Sequence, residues 1–112
     1  IPYDELVSLM YHSIAVINPS KFEGRSSTVE QAKSIGKKII LSKIKIHYEQ
    51  NPKRGIYFNP DDDIKLGKIL FNENLKFNKL QEKKFINKAY LESNKNLLNY
   101  YNEYKKIVDC LF

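Results

Sequence analysis

Apolar and polar positions follow different rhythms in different parts of this chain, and each rhythm predicts an element. Leu6, Leu9 and Met10 recur at i, i+3, i+4, the spacing of one helix face. Asp4 and Glu5 stand just before them, where carboxylates offset the positive end of a helix dipole, so Asp4 to Tyr11 reads as a helix. Ile14-Ala15-Val16-Ile17 is a short apolar run without alternation, ended by Asn18-Pro19-Ser20. Such a run suits a strand of a parallel sheet with both faces covered. Ser26-Ser27-Thr28 opens a second helix, and Ser27 with Glu30 has the S-x-x-E spacing of a capping box. Gly36 is placed to close that helix. Lys38 to Leu41 and Gly55 to Phe58 read as two further strands, with Ile56 to Phe58 the firm part of the last. After Asn59-Pro60, Asp61 or Asp62 caps a helix carrying Ile64, Leu66, Ile69 and Leu70.

Strands alternating with helices through short connections predict an α/β domain with a parallel sheet. Residues 1–71 form that part, and residues 72–112 a C-terminal helical extension without strand signal. In the extension Ile86, Tyr90, Leu97, Tyr101, Tyr104, Val108 and Leu111 mark a long amphipathic helix with a bulky buried face and a break near Asn94-Lys95-Asn96. In open parallel sheets the ligand sits beyond the carboxyl ends of the strands, where the next helices begin. That rule points to Asn18 to Thr28.

Composition narrows the picture. The 112 residues fit one domain with one modest core, and 42% hydrophobic against 29% charged residues exclude a collagenous or wholly disordered chain. No apolar run approaches the roughly 20 residues of a membrane span, and no signal-peptide pattern is evident. The single Cys110 makes no internal disulfide, so a reducing compartment is expected. Beginning at Ile1-Pro2-Tyr3 without an initiator Met, the chain reads as a piece of something longer. The net charge of +6 is uneven: residues 31–60 hold six Lys and Arg54 against Glu49 alone. Such a stretch attracts phosphates, nucleic acid or an anionic membrane surface, or is a solvated face.

The chemistry concentrates in Pro19 to Glu30. A strand-to-helix turn with one glycine and three hydroxyl residues places free N–H groups and a positive dipole end together, a natural anion site. Gly24 permits close backbone approach, and Glu23 beside it accepts hydrogen bonds from hydroxyls. An acceptor next to an anion cradle suits a sugar phosphate.

Pro19-Ser20-x-Phe22-Glu23-Gly24, the Ala32-x-x-x-Gly36 that follows Glu30-Gln31, Ile39-Ile40-Leu41-Ser42, His47-x-Glu49-Gln50-Asn51-Pro52 and Tyr57-Phe58-x-Pro60-Asp61-Asp62 resemble, in order and spacing, the C-terminal domain of a family 4 (group 1) glycosyltransferase. The resemblance spans Ile1 to Leu70. It implies a GT-B enzyme with two Rossmann-like domains, this one being the donor-binding half. It further implies a nucleotide-sugar substrate, transfer that retains the anomeric configuration, and no bound metal or cofactor. A glycan or lipid-linked acceptor would be held by an N-terminal domain. The family's two glutamates, with seven residues between them, fall on Glu23, expected at the sugar hydroxyls as the catalytic residue, and on Gln31, expected at the ribose. Gln31 keeps hydrogen-bonding capacity but no charge, and Glu30 either substitutes for it or serves the capping box. Gly24, Arg25, Ser26, Ser27 and Thr28 are expected to present the diphosphate site. Ser26 stands where the family often has a second glycine. The Arg/Lys pair that grips the diphosphate in relatives, and the sheet's first strands, would precede Ile1, so the isolated 112 residues should be catalytically silent. The resemblance implies bacterial surface polysaccharide or lipopolysaccharide synthesis at the cytoplasmic face of the membrane; the basic stretch adds peripheral contact to anionic lipid as an expectation, and no nucleic acid is expected.

Other residues carry weaker signals. Asp61-Asp62-Asp63 contains a metal-binding D-x-D but opens a helix, where caps are expected. His12 lacks companion ligands. His47 falls in a loop after Ser42, either near the donor or starting a helix. Cys110 reads as a small buried apolar group, and Ser26 and Ser27 lack the context of a hydrolase nucleophile. A non-catalytic binding module of the same fold is the second functional class. A nucleic-acid-binding domain, for which no recognition motif is present, is the third.

Overall fold

The computed structural model describes residues 2–111, without the side chain of Leu111. Its order is α1 (Tyr3–His12), β1 (Val16–Asn18), α2 (Ser27–Ile35), β2 (Ile39–Ser42), α3 (Lys45–Gln50), β3 (Gly55–Phe58), α4 (Asp63–Lys76) and α5 (Lys79–Leu111). The three strands form one parallel sheet in the order β1-β2-β3. Val16 lies opposite Ile39 and Asn18 opposite Leu41, and Ser42 opposite Phe58.

β2 is the centre, and all four of its residues are buried, as an unbroken apolar run in a parallel sheet requires. β1 behaves otherwise. It starts two residues later than its sequence suggests, and Ile17 is 43% exposed. β1 is an edge strand, paired on one side only, so its residues alternate between a covered and an open face. The strand is registered by Val16 N–H, which donates to the Lys38 carbonyl (2.9 Å). Val29 and Ala32 of α2 pack on Ile39 and Leu41, with Val16 and Tyr57 at the margin, and these make the core.

Gly36 ends α2 in the left-handed conformation (φ 78°) that glycine adopts without a Cβ penalty. Asp62 caps α4 by accepting from Lys65 N–H (2.9 Å) and Asp63 accepts from Ile64 N–H (3.0 Å), so these two serve the helix start, while Asp61 pairs with Lys21 of the β1–α2 connection (2.7 Å). In α1, Met10 is buried but Leu9 is 61% exposed.

The C-terminal part differs from expectation. The position 71/72, taken as the start of the extension, lies inside α4. The break comes at Phe77-Asn78, where Asn78 Oδ1 accepts from the N–H groups of Leu80 and Gln81, and α5 continues through Asn94–Asn96. Asparagine inside a helix costs only about 0.5 kcal/mol, which does not break one. The apolar face is largely uncovered: Tyr90, Leu97, Tyr101 and Tyr104 are more than half exposed. α5 packs on α2 near Gly36 and then runs past the body. Cys110 is exposed there, contrary to its reading as a buried group.

α5 is joined to the sheet mainly by charge. Glu82 accepts from Arg54 (2.6 and 3.1 Å) and faces Lys37 (3.5 Å), whose side chain is 1% exposed. Arg54 also lies 4.0 Å above the Phe85 ring and donates to the Gly36 carbonyl (2.9 Å). Lys38 pairs with Glu73 of α4, and Lys53 with Glu92 (2.9 Å). With Lys33 beside Glu30 (3.6 Å), five of the seven basic residues in 31–60 neutralise carboxylates of the chain itself. Much of the charge of the basic stretch is thus met within the chain.

Candidate functional site

The β1–α2 connection begins at Asn18, buried at the carboxyl end of β1. Its Oδ1 accepts from Ser20 N–H (3.3 Å) and its Nδ2 donates to Ser26 Oγ (2.8 Å), so one side chain holds both ends of the loop. Ser26 is the N-cap of α2: its Oγ accepts from Val29 N–H (3.3 Å). The expected Ser27–Glu30 capping box does not form, because the helix starts one residue earlier than that box needs. Ser26 is fixed in extended conformation by Asn18 and by Gln50, and Ser27 becomes the exposed first helical residue.

Gln50 is the residue that sequence reasoning missed. It ends α3, is 4% exposed, and brackets the peptide at Ser26. Its Oε1 accepts from Ser26 N–H (3.3 Å) and its Nε2 donates to Ser26 O (2.8 Å) and to Glu30 Oε1 (3.0 Å). Two expectations change. Ser26 N–H is turned inward and does not face a diphosphate, which leaves Ser27 and Thr28 at the helix start without intrahelical acceptors. Glu30 is held by Gln50, Arg25 (3.3 Å) and Lys33, and these, the Gln50 hydrogen bond first, keep its carboxyl below the ordinary glutamate value despite partial burial. Gln50 stands in the His47-to-Pro52 motif, and its amide type, a side chain able to donate and accept at once, is the sequence signal for this role.

Glu23 is half-buried and accepts from Ser20 Oγ (2.7 Å). Gly24 is exposed, and a Cβ there would meet nothing within 4 Å, so packing does not require the glycine. Both line a cavity of about 420 Å³ with Lys21 and Phe22 on one wall and Ile44, Lys45, Ile46 and Glu49 on the other. The cavity thus lies between the β1–α2 connection and α3 with its N-cap Ile44, beyond the carboxyl ends of two neighbouring parallel strands. Glu23 and Glu49 supply carboxylates, Lys45 and the Asp61-paired Lys21 cations, and Phe22, Ile44 and Ile46 apolar surface, a mixture suited to a polyhydroxyl ligand with a charged neighbour. Gln31 is half-buried on α2 and does not line this cavity. A second cavity of about 460 Å³ between α2 and α5 shares only Glu30 with the expected site.

His47 lies in α3 but neither starts it nor reaches the cavity: the helix N-cap is Ile44. The imidazole is fully buried, with Nδ1 2.9 Å from Ser42 O and 3.3 Å from Ser42 Oγ. A carbonyl only accepts, so Nδ1 carries a proton, and Nε2 is buried without a hydrogen-bond partner among the described residues. Ser42 Oγ donates in turn to the Ser20 carbonyl, so His47 and Ser42 support the loop from beneath. Among the described residues no group of three or more His, Cys, Asp or Glu is placed to hold a metal ion. No helix among them is long and apolar enough to cross a membrane. Comparison of the chain with protein-family models, with curated proteins and with solved structures finds no match to any of them.

Proposed function

We propose that this chain is the nucleotide-sugar donor-binding part of a retaining glycosyltransferase of the GT-B kind. The observation that carries the reading is the placement of Glu23 and Gly24 on a cavity beyond the carboxyl ends of β1 and β2, in the connection that leads into α2. In this reading Glu23 takes hydrogen bonds from the sugar hydroxyls. The N–H groups of Ser27 and Thr28 receive the diphosphate, helped by the dipole of α2 and by Arg25 from the side. Gln31 takes the ribose. The acceptor, a glycan or a lipid-linked sugar, belongs to a further domain, and the reaction to bacterial surface polysaccharide synthesis at the cytoplasmic side of a membrane. An uncharged Gln31 where the resemblance places a glutamate also favours a second reading, a module that binds the nucleotide sugar without turnover.

The test compares Glu23→Ala with Gln31→Ala in a protein carrying this chain together with the acceptor domain that the resemblance implies. A hydrogen bond to a charged group is worth about 1.5–3 kcal/mol. Glu23→Ala should therefore lower turnover roughly ten- to a hundredfold with little change in affinity for the free nucleotide. Gln31→Ala should weaken the nucleotide instead. Unchanged turnover in Glu23→Ala would remove this loop from the donor site, and nucleotide binding with no transfer by the unaltered protein would select the second reading.

A further inference from the structure

Gln50 joins the two walls of the cavity. Its backbone belongs to α3, which continues the Ile44–Ile46 wall, and its carboxamide holds Ser26, where the Lys21–Gly24 wall enters α2. α3 is six residues long and has no side-chain cap at its start; the buried His47, bonded to Ser42 and accepting from the Tyr57 hydroxyl at its carbonyl (3.3 Å), ties its first turn to the sheet and leaves the far end to other partners. Its last turn is held from α2 instead: Lys33 Nζ donates to Gln50 O, and Asn51 follows in the left-handed conformation (φ 41°). The carboxamide meets Ser26 as a second peptide group would, one acceptor to its N–H and one donor to its carbonyl. The second Nε2 hydrogen goes to Glu30, already shared with Arg25 and Lys33.

We propose that Gln50 is the positioning residue of this site, setting the distance between the β1–α2 and β2–α3 connections and holding the Glu30 carboxylate away from the ligand. The ligand part rests on the donor-site reading above; the positioning part does not. An amide is required for a definite reason. A carboxylate at position 50 would still accept from Ser26 N–H but would set an oxygen against both the Ser26 carbonyl and Glu30. An apolar side chain of the same length would fill the space, leave Ser26 N–H unpaired and take one partner each from the Ser26 carbonyl and Glu30, which keep Glu30 N–H and the Arg25 and Lys33 cations respectively.

The experiment uses the full chain with two readouts. Amide hydrogen exchange at Ser26 should be at least tenfold faster in Gln50→Met than in the unaltered chain, while exchange in β2 stays slow. Titration with uridine, guanosine and adenosine diphosphates should show the preferred nucleotide bound about tenfold more weakly by Gln50→Glu. Adding Glu30→Gln, which restores a donor facing the new carboxylate, should recover at least threefold of that loss, something mere filling of space would not produce. Unchanged exchange at Ser26 in Gln50→Met overturns the proposal, and so does nucleotide binding indifferent to both variants. Should the unaltered chain bind none of the three nucleotides, the donor-site reading fails, and Ser26 exchange alone decides the role of Gln50.

Discussion

At the scale of single residues, the start of α2 separates what local spacing shows from what tertiary partners decide. Ser26, Ser27 and Thr28 are all good caps, and Ser27 with Glu30 satisfies the capping-box spacing. The choice is made from 24 residues away by Gln50 and from eight by Asn18, both outside any local window. The consequence is measurable by urea denaturation. Ser26→Ala removes the cap, worth about 1 kcal/mol, and leaves the buried Asn18 donor unpaired, worth a further 1–3 kcal/mol. A loss of about 2 kcal/mol or more is expected. Ser27→Ala, at an exposed first helical position, should change stability by no more than about 0.5 kcal/mol. The reverse order would restore the Ser27–Glu30 box. The place of Glu23 and Gly24 beyond a strand end was legible because strand-turn-helix order alone sets it. Gln50 and His47 were not, because their roles depend on which side chains are buried together.

At the scale of elements, the three parallel strands and the glycine that ends α2 could be read from apolar runs and turn residues, since burial on both faces and a left-handed end each select residue types locally. The edge position of β1 and the long unbroken α5 could not. Edge status depends on which strands flank β1, and the tail's periodicity is the same whether its face is covered or open. Gly36 and Gly67 test this directly. A Cβ at Gly36 would lie 2.5 Å from Ala89 Cβ and 3.0 Å from the Phe85 carbonyl oxygen, at a φ that disfavours any side chain. Gly36→Ala combines about 1–2 kcal/mol of backbone strain with about 1–3 kcal/mol of overpacking, so a loss of at least 2 kcal/mol is expected. Gly67 is interior to α4 with nothing within 4 Å of its would-be Cβ, and Gly67→Ala should stabilise by about 0.5–1 kcal/mol. Thermal melting of the two variants should move in opposite directions; a neutral Gly36→Ala would mean that α5 does not close on the end of α2.

At the scale of the whole molecule, the small apolar core lies between α2 and the sheet, while α4 and α5 are tied on by ion pairs, in a molecule 60 Å long. The attachment should therefore depend on pH in a definite direction. Burial pushes the Glu82 carboxyl up, but the hydrogen bond and charge of Arg54, with Lys37, outweigh it and hold the group below its ordinary value. Burial works the other way on Lys37, lowering its ammonium against the pull of Glu82. A carboxyl whose folded value is depressed stabilises the fold fully above the ordinary glutamate value of about 4.3 and loses that contribution as pH falls through the folded value. Glu30 acts with the same sign. Glu82→Gln keeps the shape but cannot ionise, and it leaves Lys37 and Arg54 buried without their counter-charge. Removing one member of a buried pair costs about 3–5 kcal/mol, and with Arg54 still bonded to Gly36 and stacked on Phe85 the lower end is expected here. Urea denaturation at pH 7 and again in acid should show Glu82→Gln less stable by about 3 kcal/mol at pH 7, with the gap narrowing as pH falls below about 4.3 and through the depressed folded value of Glu82. A gap of the same size at both pH values would mean that Glu82 acts through packing, and that α5 is not held by charge.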